Sequence, residues 1–163
     1  MKVKNSIEIY VDADACPVKE EVLRVANRHK LKVFMVSNSW LRIGNNNLKI
    51  EIIVVPEGQD EADDWIVENI TTDDIVITAD ILLAARCLAG GAKVMAPDGR
   101  IFTDDNIGNA LAMRDLKSYL REIDNNDTYN APFTKKDRTV FLQSLDNMVQ
   151  KFLIKIKKSD KSF

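Results

Sequence analysis

Two cysteines, one histidine and six glycines in 163 residues set the first limits on this chain. Cys16 and Cys87 are too few for a disulfide scaffold, and such sparse use predicts a reducing, cytoplasmic setting. With His29 as the sole histidine, a four-ligand Cys/His zinc site is excluded. No apolar run approaches the roughly 20 residues of a membrane-spanning helix, so no membrane association is expected. Met1-Lys2-Val3-Lys4 lacks the apolar segment of a secretory signal. Gly90-Gly91 lacks the spacing of a phosphate-binding loop and reads as a helix stop.

What remains is an ordinary globular composition, 45% hydrophobic and 29% charged, at a length suited to one compact domain. The net charge of -2 hides an asymmetry. Residues 1–116 carry 13 Lys/Arg against 19 Asp/Glu, and residues 117–163 carry 10 against 6. Asp outnumbers Glu 17 to 8 although Glu is the better helix former, which points to caps, turns or a site.

The pattern alternates strands with helices. Residues 6–12 alternate Ile7, Ile9 and Val11 and end on an acid, as a strand does. Pro17 then suits the first turn of a helix reaching Arg28. Strands follow at 31–36, 50–55, 74–78 and 92–95, with helices at 60–69 and 81–89 between them. Ile101-Phe102 follows the turn Pro97-Asp98-Gly99-Arg100, and Asp104 or Asp105 is expected to cap a helix reaching about residue 123. Residues 38–47 read as a loop packed down by Trp40 and Leu41, and 124–132 as a polar connection. A last helix is expected over 133–152, and the end of the chain, 151–163 with five lysines, is expected to fray. Alternating strands and helices predict a parallel sheet covered on both faces. The division expected is an α/β unit over 1–123 and a helical extension over 124–163 packed on it.

In such a sheet, ligands bind outside the carboxyl ends of the strands. Asp12 ends the first strand and Asp14 follows it; Asp60, Asp63 and Asp64 open the helix after the third. Asp80 follows the fourth strand, and Asp104 and Asp105 follow the last. Each acid alone is accounted for by helix capping. Together they are expected to converge on one end of the sheet, where close carboxylates repel unless a cation such as Mg²⁺ or Mn²⁺ neutralises them. Cys16 near a helix start reads as packing or site lining, Cys87 as core, and His29 as a helix-end residue.

Val11-Asp12-Ala13-Asp14-Ala15-Cys16-Pro17-Val18-Lys19, Ala62-Asp63-Asp64 and Val76-Ile77-Thr78-Ala79-Asp80-Ile81 resemble the YaiI/YqxD family of bacterial proteins. Asn106-Ile107, Arg114-Asp115-Leu116 and Pro132-Phe133-Thr134-Lys135-Lys136-Asp137-Arg138 extend the resemblance across residues 7–150. It differs at Leu82, where the family usually has proline, and at Tyr129-Asn130-Ala131, where the family is rich in glycine and proline. The family is grouped by similarity with PIN-like domains, which are metal-dependent nucleases. The resemblance therefore implies a three-layer α/β/α, Rossmann-like (PIN-like) domain with a mainly parallel sheet of about five strands. It also implies acids at Asp12, at Asp63 or Asp64, at Asp80, and at Asp104 or Asp105.

The first functional expectation is a nuclease or phosphodiesterase acting on RNA or DNA. Asp12, Asp63, Asp80 and Asp104 would be catalytic and hold Mg²⁺ or Mn²⁺, assisted by Asp14 and Asp64. Thr78, Arg114, Lys135, Lys136 and Arg138 would contact substrate, the cations by neutralising phosphate. The second is a phosphatase resembling the haloacid-dehalogenase class, with Asp12 as nucleophile and Asp14 as acid/base; that chemistry also requires a lysine at the site. The third is a non-catalytic module that binds nucleic acid or a nucleotide, its acids serving as caps.

Overall fold

The computed structural model describes residues 6–42, 49–58, 60–124 and 133–160. Residues 43–48 of the Asn-rich loop, the connection at 125–132 with its Tyr129-Asn130-Ala131 departure, and the chain ends lie outside these residues.

The sheet has six strands: β1 (Glu8–Asp12), β2 (Lys32–Ser37), β3 (Ile50–Val54), β4 (Ile75–Ile77), β5 (Lys93–Met95) and β6 (Ile101–Phe102). Their order is β3-β2-β1-β4-β5-β6, parallel except for the antiparallel β5–β6 pair. Among the described residues the helices are α1 (Lys19–His29), α2 (Glu61–Asn69), α3 (Ile81–Ala89), α4 (Ile107–Asp124) and α5 (Lys135–Asp160), and a 3-10 turn (Ala13–Ala15) follows β1. The expected mainly parallel α/β architecture is present. Ile101-Phe102 forms the sixth, antiparallel edge strand.

Two-residue alternation divides the strands between two cores. Ile9, Val11, Val33, Met35, Ile75 and Ile77 face α1 and α5, where Val22, Val25, Phe141, Leu145 and Val149 are buried. Tyr10, Val36, Val76 and Val94 face the other way, against Ile66 of α2 and Leu83 and Cys87 of α3, with Ile107 and Ala110 of α4 beside them. Both faces are covered, so the strands read as near-continuous apolar runs. Helices on both sides of the sheet make three layers.

Several boundaries differ from expectation for local reasons. Asp104 and Asp105 do not cap α4; Thr103 and Asn106 form a reciprocal pair, Asn106 N–H donating to Thr103 Oγ1 (3.2 Å) and Thr103 N–H to Asn106 Oδ1 (2.8 Å). Thr134 and Asp137 repeat the device before α5, at 2.9 and 3.2 Å. The tail expected to fray continues α5 to Asp160, because Phe152 is buried and Leu153 and Ile156 pack on the same core. Leu41 packs down as expected, but Trp40 is 74% exposed.

Polar contacts align α5 with α1. Asp146 accepts from Gln150 Nε2 (2.6 Å), lies 2.8 Å from His29 Nε2 and pairs with Arg28 at 3.2 Å. Burial opposes its ionisation, yet His29, Gln150 and Arg28 together hold the Asp146 carboxyl below its usual range. At the other end, Arg138 donates to the Pro17 carbonyl, pairs with Glu21 at 3.3 Å and lies 5.1 Å over the Phe133 ring. Among the described residues no helix is long and apolar enough to cross a membrane.

Candidate functional site at the carboxyl ends of β1 and β4

The chain steps outward from β1 through β2 to β3, and α2 then carries it back across β1 to β4. Connections leaving β1 and β4 therefore diverge, which opens a crevice above these two neighbours. A cavity of about 360 Å³ lies there, lined by Asp12, Asp14, Asp60, Asp63 and Asp80 together with Asn38 and Arg114.

Each acid is fixed differently. Asp12 is the last residue of β1, and its Oδ2 accepts a 2.9 Å hydrogen bond from Thr78 Oγ1. Thr78 is almost wholly buried, and its hydroxyl also accepts from Asp80 N–H (3.0 Å). Asp80 caps α3, its Oδ1 accepting from Leu82 N–H (2.9 Å) and Leu83 N–H (3.3 Å), and it still borders the cavity. Capping and site lining therefore coexist in one residue. The Leu82 N–H is a donor that proline at this position lacks. Asp14, in the 3-10 turn, accepts from Ser37 Oγ and from Asn38 N–H (3.2 Å), tying the end of β1 to the end of β2. Asp63 enters from the first turn of α2, behind Asp60, whose φ of 69° is left-handed.

The electrostatics follow from this crowding. Burial, with Asp80, Asp12 and Asp60 nearby, pushes the Asp63 carboxyl up to about 6, and Arg86 only partly offsets them. Asp12 is also raised, first by burial and then by Asp80 and Asp14, against the lowering effect of the Thr78 hydrogen bond. These shifts place Asp12, Asp63 and Asp80 within one another's electrostatic reach.

The model of the uncharacterised YaiI/YqxD family matches residues 10–151. The chain belongs to the YaiI/YqxD family. A UPF0178 protein of Agrobacterium fabrum is 50% identical over 151 residues, covering 93% of this chain and 98% of its own. UPF0178 proteins of Rhizobium meliloti and Parvibaculum lavamentivorans are 50% and 54% identical over 143 residues, covering 88% of this chain and 97% and 93% of their own. No solved structure matches the chain.

In this YaiI/YqxD protein the structure gathers only part of the predicted set. Asp12, Asp14, Asp63, Asp80 and Arg114 line the cavity. Asp64, beside Asp63, turns away to pair with Arg86 at 2.9 Å. Asp104 is exposed before α4 and does not line the cavity. Lys135 and Lys136 are exposed on the first turn of α5, and Arg138 is engaged with Pro17 and Glu21. Asp60, expected from the sequence among the converging acids but given no role, forms part of the wall, and Asn38 is a lining residue the sequence reading does not name. The position of Asn38 just after β2 becomes a signal only once the strand order puts β2 beside β1.

The donor chemistry suits a hard divalent cation, because every acid here offers only oxygen. The side chains as they stand do not complete a shell: among the described residues no three His, Cys, Asp or Glu groups converge closely enough to hold a metal ion. The fit rests on the kind of donor and on the unrelieved repulsion.

Proposed function

We propose that this protein is a divalent-metal-dependent phosphodiesterase acting on RNA or DNA, a nuclease with its centre at Asp12, Asp63 and Asp80. The observation that carries this reading is the crowding of carboxylates from three elements at the switch point, where burial, and after it Asp80, Asp12 and Asp60, push the Asp63 carboxyl up to about 6. Repulsion of this kind is costly in an isolated protein and is relieved by a bound cation. Asp12, Asp63 and Asp80 would be the residues to hold a Mg²⁺ or Mn²⁺. Such an ion supplies Lewis-acid polarisation of phosphate and a more acidic water.

The chain's own residues supply position. Thr78 fixes Asp12 through a hydrogen bond and holds the Asp80 backbone in the same contact. Asp14, tied down by Ser37 and Asn38, forms the β2 wall. Arg114 faces the acids from α4 and would neutralise a phosphate oxygen. Asp104, Lys135, Lys136 and Arg138 have no part in this centre.

The aspartyl-phosphate alternative is less favoured, because among the described residues no lysine lines the cavity and the one cation there is Arg114. Thermal unfolding with Mn²⁺ tests the metal reading. Saturating Mn²⁺ is expected to raise Tm by several degrees, and Asp12→Asn to remove most of that rise. An equal rise in the variant overturns the assignment.

A further inference from the structure

A second cavity, also about 360 Å³, lies against the first and shares Asp12 and Asp80 with it. Its remaining walls are Cys16, Ile77, Thr78, Ala79 and Pro97. The two differ in chemistry although they meet at the same carboxylates. The first is ringed by acids and Arg114. The second adds only apolar groups, a buried thiol and a hydroxyl to the shared pair. The Thr78 hydroxyl is already committed to Asp12 and Asp80. Such a wall suits a flat, weakly polar body and has nothing with which to hold a second phosphate.

We propose that this alcove is a subsite for one unstacked nucleoside of a single-stranded nucleic acid, placed next to the phosphate held in the acidic cavity. The inference rests on the phosphodiesterase reading, because a nucleotide chain is the substrate that puts an apolar ring beside a phosphate repeatedly. The volume lies near the lower end of the roughly 300–1,000 Å³ typical of small-ligand pockets, room for one nucleoside. A base seated there has left its stack and its pairing partner, so unpaired strands are favoured. Ala79 is exposed and stands on the wall, so a larger side chain there fills the alcove without entering the core.

The binding arm of the test needs neither metal nor turnover. Adenosine and uridine are the probes, with ribose as control, read by saturation-transfer NMR on the purified protein. Transfer to the base protons is expected with the nucleosides and not with ribose, and is lost in Ala79→Phe. Ala79→Leu, a smaller plug, is expected to weaken it. In the turnover arm, Ala79→Phe lowers the ratio of kcat/KM for a single-stranded oligonucleotide to that for bis-p-nitrophenyl phosphate at least tenfold. Absence of nucleoside transfer, or a ratio that does not move, overturns the subsite. Nucleoside binding without divalent-dependent cleavage overturns the phosphodiesterase reading instead, and leaves the alcove as a nucleoside site.

Discussion

Thr78 Oγ1 donates to Asp12 Oδ2 across 2.9 Å, joining the segment after β4 to the last residue of β1. The same hydroxyl accepts from Asp80 N–H, so one buried side chain sets the relative placement of two site acids. Thr78→Val keeps the shape and removes the hydroxyl. It is expected to destabilise the fold by about 1–3 kcal/mol, since Asp12 and the Asp80 amide each lose a partner. Urea unfolding measures this, and Thr78→Ser should restore most of it.

Asp63 gives the apo protein a stability that falls as pH rises. Its carboxyl has a usual value of 3.8 and is pushed up to about 6 in the fold, so the folded state holds the proton more tightly than the unfolded chain. Stability from this group is fully present below its unfolded value and is lost as pH rises through about 6. The full shift corresponds to about 3 kcal/mol, reduced to about 1 kcal/mol for a group partly open to solvent. Asp63→Asn is therefore expected to raise Tm by about 2–4 °C at pH 7.5, with the gain shrinking toward pH 4. Thermal melts across that range check it.

Arg114 and Arg138 are expected to behave differently. Arg114 lines the acidic cavity, and Arg114→Ala should raise KM for an oligonucleotide by about tenfold or more, as loss of a charge-assisted phosphate contact does. Arg138 links α5 to the start of α1. Arg138→Ala should lower stability by about 1 kcal/mol with KM nearly unchanged. Steady-state kinetics beside urea unfolding separates the two roles.

The sequence made the architecture readable because its signals are local. Ile7, Ile9 and Val11 announce β1, and Gly90-Gly91 closes α3. The acids Asp12, Asp63 and Asp80 were readable too, since each follows a strand or opens the next helix. Side-chain direction was not. Asp63 and Asp64 are neighbours on one turn, yet one meets the cavity and the other meets Arg86, a choice made by where α3 lies. Asp104 looked equivalent to Asp80, but it follows the antiparallel edge strand β6, on the far side of the sheet from the β1–β4 crevice. The cap of α4 fell to Thr103 and Asn106, because a reciprocal Thr–Asn pair satisfies the first turn without either acid.

The most direct measurement is cleavage of end-labelled single-stranded RNA and DNA by the purified protein, with and without Mn²⁺ or Mg²⁺. The variants to compare are Asp12→Asn and the Asp12→Asn/Asp80→Asn pair. The account predicts cleavage that requires the divalent ion, falls at least a hundredfold in Asp12→Asn and disappears in the double variant. Divalent-dependent cleavage that survives the double substitution contradicts it, as does a wild-type protein that cleaves neither strand with either ion.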